Sequence, residues 1–150
     1  VIDVVNIQRK VKLDTDIFRK FIVELTSAVS EAENKTFAIA FVSDNRMKQL
    51  NEMFRGKNTT TDVLSFPHEP DEFELTTDHR QPTTIFLGDI VISAEQAQKQ
   101  SVENDLMFDA EIKQLILHGL LHLCGYDHET DNGEMNKREL ELREKLKISH

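Results

Sequence analysis

Between Met107 and Cys124 apolar residues recur every three or four positions, at Ile112, Leu115, Ile116, Leu120 and Leu123, and the run stops at a glycine. That spacing predicts one long helix with an apolar face. Gly125 suits the left-handed conformation that closes a helix. The same helix carries His118 and His122. Four residues apart, their side chains lie one turn apart on one face, where two imidazoles can share an ion. Beyond the glycine turn His128 returns from a new direction and completes a tripod.

Shorter elements precede and follow that helix. Ile2 to Ile7 alternates enough for a strand, and Asp14 or Thr15 can cap a helix to about Val29 with Phe18, Phe21, Ile22, Leu25 and Val29 on one face. Thr36 to Val42 is β-branched and aromatic, the composition of a buried strand. Ser43 caps a helix whose apolar stripe is Met47, Leu50 and Phe54 and which ends near Gly56. Val63 to Phe66 is a short strand stopped by Pro67, and Ile85 to Ile92 is another, interrupted by Gly88. Residues 68–83, acidic and carrying two prolines, form a loop. Ser93 with Gln96, and Asp131 with Glu134, read as capping boxes that open two further helices, the last polar and running to about Lys147. About four strands and five helices without strict alternation predict an α+β fold. No repeat or linker divides residues 1–150, which reads as a single domain.

Its 150 residues are enough to bury a core without disulfides. The lone cysteine, Cys124, makes no internal bridge and reads as a small core thiol. No signal-peptide pattern opens the chain, and no run approaches the ~20 apolar residues of a membrane helix, so the expected location is the cytoplasm. A net charge of −9 argues against coating nucleic acid by bulk electrostatics. The charge is uneven, however. Arg46, Lys48, Arg55 and Lys57 face only two acids, Asp44 and Glu52, in their segment.

The stretch HGLLHLCGYDH, His118 to His128, sits at the intervals of the zinc-protease pattern H-E-x-x-H-x-x-G-x-x-H. Three neutral imidazoles suit zinc or a similar transition metal such as nickel, and no fourth ligand is offered nearby. Three protein ligands with an open position describe a catalytic rather than a structural site. Where the pattern demands glutamate as general base the chain has Gly119, which disfavours peptide hydrolysis by that route. A glycine in mid-helix costs roughly 1 kcal/mol relative to alanine. Two reasons for it stay open: close approach of another backbone, or room for substrate.

Read together with NEMFRGKNTTTDVLSFP (Asn51 to Pro67) and LGDIVIS (Leu87 to Ser93), this stretch resembles the YbeY family of bacterial endoribonucleases. The likeness covers roughly residues 36–130. It implies an α+β metalloprotein with a small mixed sheet and a zincin-like metal-site helix. It further implies cleavage of single-stranded RNA in small-subunit rRNA 3′-end maturation and ribosome quality control. The implied partners are the small ribosomal subunit, one of its proteins and the GTPase Era, with no membrane. Carried over, the metal ligands are His118, His122 and His128, His118 counting as catalytic as well. The functional arginine falls on Arg55.

A guanidinium offers a planar, permanently charged fork for phosphate oxygens, and Arg46, Lys48 and Lys57 can extend that patch or simply be solvated. In RNA the 2′-hydroxyl beside the scissile phosphate can itself be the nucleophile; the alternative is a metal-activated water. Asp62, Asp89 and Asp127 are candidates for the base. His68, His79 and His150 stand outside the motif. Two rival readings are a metal-dependent peptidase or amidase whose base comes from elsewhere, and a non-catalytic ribosome-assembly factor whose zinc pins the last helices.

Overall fold

The structure, a computed structural model, describes residues 4–69, 85–127 and 129–148. Its sheet has four strands in the order β1-β2-β4-β3: β1 (Val4–Asn6), β2 (Lys35–Val42), β3 (Val63–Pro67) and β4 (Ile85–Ser93). β1 and β2 are parallel, as are β2 and β4. β3 runs antiparallel to β4, with Val63 opposite Ile92 and Pro67 opposite Gly88, so it closes the sheet as an edge strand. The sheet is therefore mixed. Among the described residues five α-helices accompany it: α1 (Thr15–Ala28), α2 (Asp44–Arg55), α3 (Ala94–Glu103), α4 (Phe108–Leu123) and α5 (Glu134–Lys145). A single 3-10 turn, Ser30–Ala32, follows α1. The expected α+β class and element count hold.

Strand alternation sorts side chains between two layers. Phe37, Ile39 and Phe41 of β2, with Ile90 and Ile92 of β4, meet Phe18, Ile22 and Leu25 of α1 and Ile112, Ile116 and Leu120 of α4 in the main core. The opposite face, at Val42, Leu64 and Val91, meets Met47 of α2, with Leu50 and Phe66 at its margin. Phe54 departs from the expected stripe. Met47 is fully buried, whereas Phe54, two turns on, is 59% exposed. The stripe's end therefore faces water rather than the core.

The caps follow their local chemistry. Asp14 accepts from Asp16 N at the start of α1, and Ser43 accepts from Arg46 N at the start of α2. Ser93 accepts from Gln96 N as a capping box requires. The reciprocal half is absent, because the Gln96 amide is drawn instead to Asp44 Oδ2 at 2.9 Å. At α5 the helix begins one residue after left-handed Gly133. Asp131 still caps it, accepting from Gly133 N and Met135 N, while Glu134 reaches back to Asn132 N. Gly125, at φ +103°, ends α4 as expected.

Candidate active site

α4 lies against the sheet on the side of β4 and the edge strand, and Gly119 sets how closely. A Cβ built there would stand 2.8 Å from Cγ2 of Ile90. This settles the open question about the glycine. Its space is filled by the side chain of a β4 isoleucine, rather than by another backbone or by substrate. The missing protease glutamate is thus a packing outcome. Ser65 of β3 adds a tie, its hydroxyl donating to the Gly119 carbonyl at 3.3 Å.

With the helix so seated, His118 and His122 point the same way. Their Nε2 atoms are 3.2 Å apart and their ring centroids 4.7 Å. Two tetrahedral ligands held about 2.0–2.1 Å from zinc stand roughly 3.3 Å apart, so the pair has the spacing that one ion requires. The third expected ligand, His128, lies outside the described residues, as do His79 and His150. Among the described residues no group of three or more His, Cys, Asp or Glu side chains comes together as a metal cluster.

Behind the pair stands a residue that sequence reasoning missed. Glu139 of α5 places its carboxylate 3.3 and 3.4 Å from Nδ1 of His118. A carboxylate on Nδ1 favours the tautomer that carries its lone pair on Nε2, the support that metal-binding histidines ordinarily have. This hydrogen bond raises the pKa of His118, against the opposing effect of burial, and the charges of Glu139 and Asp62 add to the rise. The donor set and its spacing fit a transition metal. Nothing local in the sequence pointed to Glu139, which is one of many charges on a polar helix 21 residues away.

The histidines open into a cleft of about 570 Å³, lined also by Arg55, Asp62, Ser65, Pro67 and Asp127. Arg55 reaches it from the last residue of α2, where Gly56 turns the chain in the left-handed region. Asn51, itself buried, pins the following loop by donating to the Thr59 carbonyl at 2.8 Å and accepting from Lys57 N through its backbone. Arg46, Lys48 and Lys57 are exposed and are not among the lining residues. Arg46 instead donates to Gln49.

The three candidate bases separate clearly. Asp62 and Asp127 line the cleft, whereas Asp89 is exposed on β4, opposite Phe66. Asp62 is held firmly. Its Oδ1 accepts from Val63 N at 2.8 Å, and the Gln100 amide, oriented to satisfy both carboxylates, donates to Asp62 Oδ2 and to buried Glu111, each at 3.1 Å. Cys124 is half-buried against the core, and burial pushes its thiol pKa up, which suits the expected inert thiol.

A third cluster secures the turn after α4. Tyr126, at the cleft, donates to Glu31 Oε2 at 2.6 Å, and Arg138 of α5 donates to both Glu31 oxygens, at 3.1 and 2.8 Å. The Arg138 guanidinium foremost, with Tyr126 and Ser30, holds the Glu31 pKa down to about 2 despite burial.

The family model described as Endoribonuclease YbeY matches residues 3–147. The Endoribonuclease YbeY of Nautilia profundicola is 44% identical over 115 residues, 77% of this chain and 75% of that protein. That of Clostridioides difficile is 35% identical over 147 residues, covering 95% of this chain and 94% of its own. The solution structure of TM1509 from Thermotoga maritima, 24% identical, superposes with a TM-score of 0.64 over 97% of this chain and 89% of that one. No helix among the described residues is long and apolar enough to cross a membrane.

Proposed function

The chain belongs to the YbeY endoribonuclease family, and from that premise we propose that it is a metal-dependent, single-strand-specific endoribonuclease of small-subunit rRNA 3′-end maturation and ribosome quality control. One observation carries the reading: two histidines at ligand spacing share a cleft with an arginine suited to phosphate. His118 and His122 would hold the ion, with His128 as the third ligand. Zinc is the expected metal, with nickel an acceptable substitute. A metal so held would supply Lewis acidity toward a phosphoryl oxygen or a water.

The chain's own groups do the rest. Glu139 orients His118. Arg55 offers its fork to the phosphate and neutralises charge that builds in the transition state. Asp62 takes the proton from the nucleophile, whether water or 2′-hydroxyl; its charge acts on His118, which favours it over Asp127, the other candidate in the cleft. Arg46, Lys48 and Lys57 strengthen the local potential for RNA without lining the cleft. With a net charge of −9 the chain gains little from bulk electrostatics. Docking on the small subunit, through one of its proteins and the GTPase Era, would supply the missing affinity in the cytoplasm.

The purified protein should carry about one equivalent of transition metal by elemental analysis and cut single-stranded RNA in preference to duplex or casein. Arg55→Ala should lower RNA cleavage by about 10²–10³-fold while changing stability by less than about 0.5 kcal/mol, because Arg55 is exposed. Casein cleavage with intact RNA, or full metal occupancy after His118, His122 and His128 are all replaced by alanine, would overturn the assignment.

A further inference from the structure

Glu111 is a carboxylate with no part in the chemistry above, yet it is only 4% exposed. It stands in the first turn of α4, whose positive end eases the burial of a negative charge. Its Oε1 accepts from the Gln100 amide nitrogen at 3.1 Å and from Asn104 Nδ2 at 3.5 Å. The second hydrogen of the Gln100 amide goes to Asp62 Oδ2, also at 3.1 Å. One amide near the end of α3 thus links the helix that carries the histidine pair to an acid in the cleft.

The backbone at Asp62 is pinned separately. Its carbonyl accepts from Ser93 N at 2.9 Å, and the Thr60 hydroxyl before it donates to Asp44 Oδ1 at 3.0 Å. These contacts fix where the side chain starts, not where its carboxylate points, because two torsions remain. Oδ1 is held by chain neighbours, Val63 N and the Thr61 hydroxyl, whereas Oδ2 is held from α3 by Gln100. Gln100 does not line the cleft.

We propose that Gln100, anchored by Glu111, is a positioning residue that aims the Asp62 carboxylate at the proton of the nucleophile. It rests on the reading of Asp62 as the base of an endoribonuclease. An amide suits this task, since it donates to a carboxylate without charge or titration of its own. Each carboxylate oxygen keeps a further lone pair for the incoming proton. Glu111 lies seven residues before His118 on α4, on the same helical face, so base and metal pair share one frame.

The test is cleavage of a single-stranded oligoribonucleotide by wild type, Gln100→Met, Asp62→Asn and the double variant, at matched metal content and scaled to folded protein. Methionine keeps the length of glutamine and removes both donors. Gln100→Met should lower kcat about 10- to 100-fold, the cost of a misaimed group, with KM close to wild type. Asp62→Asn should lower kcat about 10²–10⁴-fold. Adding Gln100→Met to it should cost no more than about a further twofold, because no base is left to aim. A merely structural role would multiply the two losses. Should Gln100→Met fail to fold, Gln100→Asn, too short to span both carboxylates, takes its place in the same cycle. Gln100 variants at wild-type kcat, or losses that multiply, overturn the positioning role and leave the endoribonuclease reading standing. Asp62→Asn at wild-type kcat removes Asp62 as the base and Gln100 with it. Wild type that cuts no RNA overturns the endoribonuclease reading itself.

Discussion

Replacing Glu31 by glutamine should weaken the fold in a way that depends on pH. Glu31 ties three separate parts of the chain together: the turn after α1, Tyr126 beside the cleft, and Arg138 on α5. Its pKa falls from 4.5 to about 2 in the fold. Each tenfold change in proton affinity is worth about 1.4 kcal/mol, which sets a ceiling of about 3 kcal/mol for the whole displacement. The Glu31 side chain keeps 26% of its surface in water, and solvent screening brings the expected contribution down to about 1–2 kcal/mol. Because the folded-state pKa is the lower one, this stability is fully present above pH 4.5 and is lost as the pH falls from there through about 2. Urea unfolding of wild type and Glu31→Gln should therefore differ by about 1–2 kcal/mol at pH 7, with the gap shrinking below pH 4.5. Subtracting one protein from the other cancels titrations common to both, including any metal release. A gap that stays constant down to pH 3, or that is already absent at pH 7, would show that Arg138 and Tyr126 do not depend on the Glu31 charge.

Glu139→Gln should weaken metal affinity about 10- to 100-fold, measured by chelator competition, while thermal unfolding of the metal-free protein stays close to wild type; unchanged affinity would remove Glu139 from the site. Gly119→Ala should destabilise by about 1–2 kcal/mol, since overpacking against Ile90 outweighs the helix-propensity gain. Combining it with Ile90→Ala in a double-mutant cycle should recover part of that loss, and strict additivity would argue against the contact.

What the sequence alone determined here is what short-range geometry encodes. A 3.6-residue period and a glycine stop suffice for α4, and spacing four residues apart puts His118 and His122 on one face whatever surrounds them. Asp14 and Ser43 bond to amides two and three residues away, so their caps were also legible. Arg55 stood out only through the motif around it, because an exposed arginine at a helix end has no periodic signature. Tertiary structure decided the rest. Glu139 reaches His118 across 21 residues, Arg138 reaches Glu31 across 107, and Gln100 bridges Asp62 and Glu111 from a different helix. Charges on polar helices look alike in sequence, and only packing selects which one meets a partner. Phe54 fits its helical stripe yet remains exposed, because where a helix stands on a sheet is not written in its own period. Gly119 lacks a side chain because Ile90, 29 residues earlier on β4, occupies that space. Contacts of that kind arise from how layers stack, and layer packing belongs to the whole chain at once.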